Sequence, residues 1–369
     1  MDKSYSYQNT PRDLSVVLDT IVAADPSLIS IVGRNGLAHN TKHEWLQDKL
    51  SPETDALAAA VAANDATSLT VVNGAAFSAG MVIAFEGYDE VMRVSAVSTN
   101  TLTVSRGYGG TTALAAIANG TEIKIISRPR AEGTSAGDDP GRQPTSDYNY
   151  TEIFDYTASL SKTANAVGSL GIDNLLDYQV ANGSRMITRR MNNALIYGRR
   201  VERSANADGS MGGILQFVGG TTGVAVDGNA ADLTAAMVNG AIESIVRRGG
   251  RPNTILCNTN QARKISGFNN NLQVQRADQT TGNAVYQFLN DLPMGVISRI
   301  VVDINFPKKK LAILDSTRID LIPLKGRALN DVDATPAGAD YVARRLLGEY
   351  TAEIKNGDSA HGMINNLKL

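Results

Sequence analysis

From Asp232 to Arg248 the apolar side chains Leu233, Met237, Val238, Ile242, Ile245 and Val246 recur at the spacing of one helix face. Gly249-Gly250 and Pro252 stop that helix. A short apolar strand, Thr254–Cys257, comes next, and Asn258-Thr259-Asn260 opens a second helix through Ile265. Strand-like runs follow at Leu311–Asp315 and Arg318–Leu324. Helix, strand and helix thus follow in quick succession, with no catalytic residue among them.

The remainder of the chain divides by texture. Residues 1–50 are an arm leading to a strand, with a short helix predicted over Asp13–Val22, an extended run over Thr41–Leu50 and little periodicity that could form a core. An arm that buries little of its own surface must bury it on something else, so residues 1–40 are expected to order only against a neighbouring subunit. Residues 65–127 read as a small all-β module with strands at Thr67–Val72, Met81–Phe85, Glu90–Val97, Thr101–Ser105 and Glu122–Ile126, punctuated by Asn73-Gly74 and Gly87-Tyr88. Residues 128–149 hold three prolines and no apolar period, a linker pattern. Tyr150–Val167 reads as an extended return strand. The longest helical signal spans 172–203, about 45 Å at 1.5 Å per residue, with Arg189, Arg190, Arg199 and Arg200 mostly off its apolar face. Gly183 weakens it. Residues 204–231 are a further Gly-, Asn- and Ala-rich stretch.

Composition narrows the class. A chain of 369 residues should form two or three compact units. A formal net charge of -2 gives no general reason to bind nucleic acid or a membrane. No apolar run approaches the ~20 residues of a bilayer span, and the polar start carries no signal peptide, so a cytoplasmic product is expected. The one cysteine, Cys257, excludes an intrachain disulfide and reads as a small buried hydrophobe.

Each motif with chemical potential fails on its context. Gly133-Thr134-Ser135-Ala136-Gly137 has the G-x-S-x-G form of a nucleophile elbow. That elbow needs a strand before and a helix after, and Pro129 and Pro140 flank it instead. His39 and His43 are four apart with Glu44 beside them, but zinc needs a third ligand and the only other histidine is His361. The pair is expected near a subunit contact. Gly107, Gly109 and Gly110 lack the lysine of a phosphate loop and read as a turn. Lys308-Lys309-Lys310 could touch phosphates, but a solvated turn at a strand end is the better reading. The paired arginines of the long helix are free to pair with acids of adjacent subunits. No catalytic, cofactor-binding or metal-ligating residue is therefore expected, and no cofactor.

The order of these segments, and the wording of Arg248–Asn258 and Tyr350–Leu369 above all, resembles the major capsid proteins of tailed bacteriophages with the Hong-Kong-97-type fold. The resemblance implies an α+β chain: an N-terminal arm and first strand over 1–50, an extended loop over 51–150 carrying the inserted β-module at about 65–127, a peripheral domain over 151–231 with its spine helix at about 172–203, an axial domain over 232–324, and return strands of the peripheral domain over 325–369. It covers most of residues 10–369 and leaves 128–149 and 204–231 unassigned. It implies self-assembly through hexamers and pentamers into an icosahedral or prolate head shell around packaged double-stranded DNA, touched non-specifically. Other implied partners are a portal, a separate scaffold protein and decoration proteins, since about 50 residues of arm leave no room for a cleaved scaffolding segment. The location implied is the virion, after synthesis in the host cytoplasm, with no membrane partner. Two rival readings are another phage structural protein, such as a tail-tube or decoration protein, and a hydrolase using Ser135.

Overall fold

The computed structural model describes residues 28–48, 50, 53–130, 132–133, 143–167, 174–220, 223–268, 272–275, 285–288 and 297–369. The predicted helix at Asp13–Val22 and the Ser135 motif lie outside the described residues. The chain forms two compact units, one from residues 1–48 with 144–369 and the other from 49–143.

In chain order the strands are β1 (Lys42–Gln47), β2 (Thr54–Ala56), β3 (Ser68–Thr70), β4 (Val82–Phe85), β5 (Val91–Ser98), β6 (Thr101–Ser105), β7 (Glu122–Ser127), β8 (Thr145–Tyr150), β9 (Glu152–Ser161), β10 (Val224–Asp227), β11 (Thr254–Cys257), β12 (Leu272–Gln275), β13 (Val285–Phe288), β14 (Arg299–Val302), β15 (Leu311–Leu314), β16 (Ile319–Pro323), β17 (Asn330–Asp333), β18 (Tyr341–Ile354) and β19 (Gly362–Asn365). The helices are α1 (Lys162–Val167), α2 (Leu175–Tyr197), α3 (Ile214–Phe217), α4 (Ala235–Arg247) and α5 (Thr259–Ser266).

In the larger unit a mixed five-stranded sheet runs β10-β19-β15-β11-β14. Its strands β15 and β11 are buried at every position because both faces are covered. Ile255, Cys257, Leu311 and Ile313 point to the side packed by Val238, Ile242 and Ile245 of α4 and Ile265 of α5. Leu256, Ala312 and Leu314 point the other way, into a core shared with α2 and β18. The period-2 alternation of strands thus feeds two cores from one sheet. The Thr234 hydroxyl caps α4 by accepting from Met237 N–H (3.3 Å). Gly249 follows the helix at φ 84°, a conformation that favours glycine.

A second sheet runs β16-β18-β17, with β9 on the other side of the 14-residue β18. Against it packs α2, whose buried stripe Gly183, Ile187, Met191 and Leu195 repeats every four residues. Asn174 caps α2 by accepting from Leu176 and Asp177 N–H. The helix has 23 residues, about 34 Å, and stops at Gly198, where the backbone becomes extended (ψ 147°), short of the 203 expected. Gly183 is a packing device: a Cβ there would lie 2.2 Å from Cδ1 of Tyr156 on β9. The return strand expected to reach Val167 ends at Ser161, and α1 takes over.

Three further expectations change. The division at 324/325 is not where the sheets part. The Asp315 carboxylate accepts from Thr317 N–H (3.1 Å) and turns the chain after β15, so β16 joins β18, while β19 returns to the five-stranded sheet. The arm is not wholly dependent on a neighbour either. Leu28, Ile29 and Val32 are buried in the core of their own chain, and residues 33 and 38 bridge to β16 through Gly33 N–H to Ile319 O (2.9 Å) and Ala38 N–H to Pro323 O (3.0 Å). Asn192 of α2 fixes this segment by accepting from Leu28 and Ile29 N–H and donating to Asp303 (2.8 Å).

The smaller unit is wider than the expected 65–127, because β2 joins its sheet, β2-β7-β4-β5-β6-β3. The two end strands also meet: Ala58 N–H donates to Thr70 O (2.8 Å) and Val72 N–H to Ala56 O (3.0 Å), with Leu57 bridged to Val71. The sheet is therefore a closed barrel that leaves no strand edge for mispairing. Its interior is filled by residues such as Leu69, Ile83, Phe85, Met92, Leu102 and Ile123. Glu90 and Arg106 form a buried bidentate pair (2.5 and 2.6 Å), and Arg106 also holds the carbonyls of Ala63, Ala66 and Leu114. Burial pushes the Glu90 carboxyl up, but Arg106 and Leu114 N–H outweigh it and hold the group below the usual carboxylate range.

Candidate functional site

The antiparallel hairpin of β1 and β8 brings the chain out of the larger unit at residue 47 and back at 145, with Gln47 opposite Thr145 and Lys42 opposite Tyr150. All of 49–143 is inserted at its open end. What anchors this hairpin decides how firmly the insertion is carried. Trp45 is buried and its ring sits 6.0 Å from Phe217 at the end of α3. Arg200 stacks over Tyr148 (4.3 Å) and pairs with Asp147 (2.9 Å). This intrachain pair corrects the expectation that Arg200 is free for a neighbour. Arg189 and Arg190 are exposed on α2.

Below the hairpin lies a buried polar knot. The Asn149 side chain donates to Gly212 O (3.0 Å) and Ala352 O (2.7 Å), and accepts from Gly212 N–H (2.7 Å) and Tyr150 N–H (2.9 Å). One amide thereby ties β8, the loop before α3, and β18. Next to it the buried Glu349 accepts from the Thr151 hydroxyl (2.6 Å), Arg203 (3.1 Å) and Arg327 (2.8 Å). A carboxylate held by two guanidiniums and a hydroxyl is neutralised and fully used. The knot is a joint and leaves no group free for chemistry.

The residues singled out from the sequence are dispersed. His39 is exposed before β1, and His43 lies on β1, so they share no helix face. His43 is half-buried, 3.6 Å from Glu353 of its own chain, longer than a hydrogen bond. That contact foremost, and Lys355 beside it, hold the Glu353 carboxyl below the usual range against the opposing effect of burial. His361 is fully buried 46 residues from its partner Asp315, whose N–H donates to Nδ1 (3.1 Å), leaving the proton on Nε2 facing Lys355 O (3.2 Å). Burial pushes His361 down to about 4, so the ring is neutral. Burial pushes the Cys257 thiol up to about 12, an inert sulfur. Gly107, Gly109 and Gly110 form a short turn at positive φ. Lys308–Lys310 occupy the turn before β15, with Lys308 and Lys309 exposed. Among the described residues no three His, Cys, Asp or Glu side chains could hold a metal ion. A cavity of about 140 Å³ between Ile29, Arg34, Met191, Leu321 and Tyr350 is mostly apolar. Asn149, Asn192 and Glu349, which do the joining, went unnoticed in the sequence, because a single buried amide or carboxylate leaves no periodic signal.

Comparison with known proteins agrees with this scaffold. A family model described as SU10 major capsid protein matches residues 2–368. A major capsid protein of Pseudomonas phage PaMx41 is 37% identical over 140 residues, which is 38% of this chain and 33% of that protein, so the match spans about a third of the relative's length. Among solved structures, one from Mycobacterium phage Adephagia aligns over 100% of this chain and 98% of its own with a TM-score of 0.50 and 11% identity. The capsid of an empty GTA particle aligns over 98% and 96%, with a TM-score of 0.50 and 11% identity. At such identity the likeness concerns the fold, and that fold is the α+β Hong-Kong-97-type architecture.

Proposed function

The chain belongs to the SU10 major capsid protein family, and from this premise we propose that its copies assemble through five- and six-membered rings into the closed head shell of a tailed phage, around packaged double-stranded DNA. The observation that carries the reading is the family match over residues 2–368, laid on a fold whose elements are spent on joining rather than on an open reactive site. A ring of identical subunits needs heterologous contacts that close at slightly different angles. An insertion carried on a hairpin, with its own core, is suited to that, since it can meet a neighbour without disturbing the core of the larger unit. Neighbouring subunits are expected to bury more than the ~1,600 Å² of an ordinary interface.

In this reading α2 with the β9–β18–β17–β16 sheet is the peripheral domain, the five-stranded sheet with α4 and α5 is the axial domain, and the β1–β8 hairpin with its barrel is the extended loop. A portal, a scaffold protein and decoration proteins are the expected further partners, and DNA is touched without base recognition. The protein acts as a building block with no catalytic role. Ser135, His39 and His43 are then dispensable: Ser135→Ala and the double variant His39→Ala, His43→Ala should form particles like the wild type. Electron microscopy of the purified, overexpressed chain tests the whole reading. Closed shells support it, tubes point to a tail protein, and discrete monomers with esterase activity abolished by Ser135→Ala point to an enzyme.

A further inference from the structure

The turn between β14 and β15 carries three consecutive lysines, and two side chains of α5 gather further cations around it. The Gln261 amide donates to Lys308 O (2.8 Å) and to Lys368 O (3.0 Å), and Lys264 Nζ also reaches Lys368 O (2.8 Å). Leu367 N–H donates to Lys309 O (2.9 Å). One helical turn earlier, Asn258 holds the carbonyls of Ile304 (2.8 Å) and Phe306 (2.9 Å). Five lysines therefore converge in a chain whose formal net charge is only -2. Asp232 pairs with Lys264 and Lys368, but Lys308, Lys309 and Lys310 have no ion pair among the described residues. In the same turn Ile304 is 69% exposed, and Val302 at the end of β14 is 43% exposed. Exposed apolar side chains rimmed by like charges are the composition of a docking surface, and a free subunit gains nothing from either.

The complementary chemistry exists on the same chain. The barrel turn after β4, Glu86-Gly87-Tyr88-Asp89, places an exposed aromatic (Tyr88, 43%) between two carboxylates. Across residues 53–127 seven carboxylates face three cations; Arg106 is consumed by buried Glu90 and Lys124 pairs with Glu86, while Asp89 has no ion pair among the described residues and keeps the turn acidic. An aromatic flanked by acids matches an aliphatic centre rimmed by lysines in both polarity and charge.

We propose that the lysine-rimmed turn at 304–310 is a contact between subunits that receives the Glu86–Asp89 barrel turn of a second copy. It rests on the shell reading above and adds to it one specific intersubunit contact. The test uses full-length chains, assembled and viewed by electron microscopy and sedimentation. Lys308→Glu with Lys309→Glu should raise the subunit concentration needed for shells by about tenfold or more, since like charges then meet across the contact. Adding Glu86→Lys and Asp89→Lys to the same chain should restore assembly, and Tyr88→Ala alone should weaken it. Because all these side chains are exposed, the rescue also separates a lost contact from misfolding. Shells of Lys308→Glu, Lys309→Glu that assemble like wild type would overturn the proposal. So would a defect that the charge swap leaves unrepaired, or normal shells that fail only to retain DNA, which would assign the lysines to phosphate. Wild-type chains that form no shells would instead refute the capsid reading itself.

Discussion

Gly183 offers the sharpest test of how the long helix sits on its sheet. In an exposed helix, replacing glycine by alanine stabilises by about 1 kcal/mol, because the unfolded chain loses freedom and the helix gains none of the cost. Here the new Cβ would lie 2.2, 2.5 and 2.9 Å from three ring carbons of Tyr156, where ordinary contact is at least 3.4 Å. Helix and strand are both fixed by their own hydrogen bonds, so the ring must shift by more than 1 Å or the helix must lift. Overpacking of this kind costs about 1–3 kcal/mol, and the severity here favours the upper part of that range. Gly183→Ala should therefore destabilise the larger unit by about 1–2 kcal/mol net. In a Tyr156→Ala background the obstruction is gone, and the same change should stabilise by about 1 kcal/mol. The sign reversal implies a coupling of about 2–3 kcal/mol between the two positions. Urea unfolding of soluble subunits, followed by the fluorescence of Trp45 against Phe217, reads this unit, since Trp45 is the chain's only tryptophan. A raised midpoint for Gly183→Ala in the wild-type background would refute the close-approach argument, as would the same sign in both backgrounds.

Asn149→Ala should cost the larger unit about 3 kcal/mol in the same assay, because it strands the buried N–H of Gly212 and the carbonyls of Gly212 and Ala352. An effect below about 1 kcal/mol would mean that water replaces the amide. His361 sets a pH dependence. Its folded value of about 4 lies below the ordinary 6.5, so the unfolded chain takes up the proton first. The contribution is whole above about pH 6.5 and is lost as the pH falls towards 4, about 3 kcal/mol in all. His361→Gln should flatten that slope in urea midpoints taken across the window, and an unchanged slope would exclude His361 as its source. Replacing residues 49–143 by Asn-Gly should leave the Trp45 signal and a cooperative transition intact, since β1 and β8 can be closed by a two-residue turn. Cutting only 65–127 should fare worse, because β2 would lose β7 and β3 together. Equal behaviour of the two deletions would count against a closed barrel.

Much of the fold was legible wherever a strong period coincided with a punctuating residue. The helix read over 232–248 is α4 at 235–247, and Thr254–Cys257 is β11 without adjustment. The barrel strands were visible as alternating β-branched runs, but closure was not. It depends on Thr54-Asp55-Ala56, three residues with no apolar pattern, pairing with partners far along the chain. The spine helix reads too long from the sequence because Val201 continues its apolar face and Arg199 and Arg200 its polar one, whereas the chain leaves the helix at Gly198. The docked arm was missed although Leu28-Ile29-Ser30-Ile31-Val32 is a plain apolar run. The run forms no core alone, and the core it joins is built by Ile187, Met191 and Leu321 from elsewhere. The polar joints at Asn149, Asn192 and Glu349 were beyond sequence reasoning, because nothing in a lone Asn or Glu distinguishes a buried fastener from a wet surface.

The hairpin of β1 and β8 has a consequence for how such chains diversify. Gln47 and Thr145 face each other across one ladder, so the two ends of the 49–143 insertion leave the body about 5 Å apart. That is the spacing at which the ends of many small domains already lie. The hairpin is in effect a socket: its fit depends on the distance between two backbone ends and hardly at all on what fills the space beyond them. A lineage can exchange the plug by recombination without renegotiating a single contact of Trp45 or Asn149, and an engineer can do the same to load a foreign domain onto every subunit of a particle.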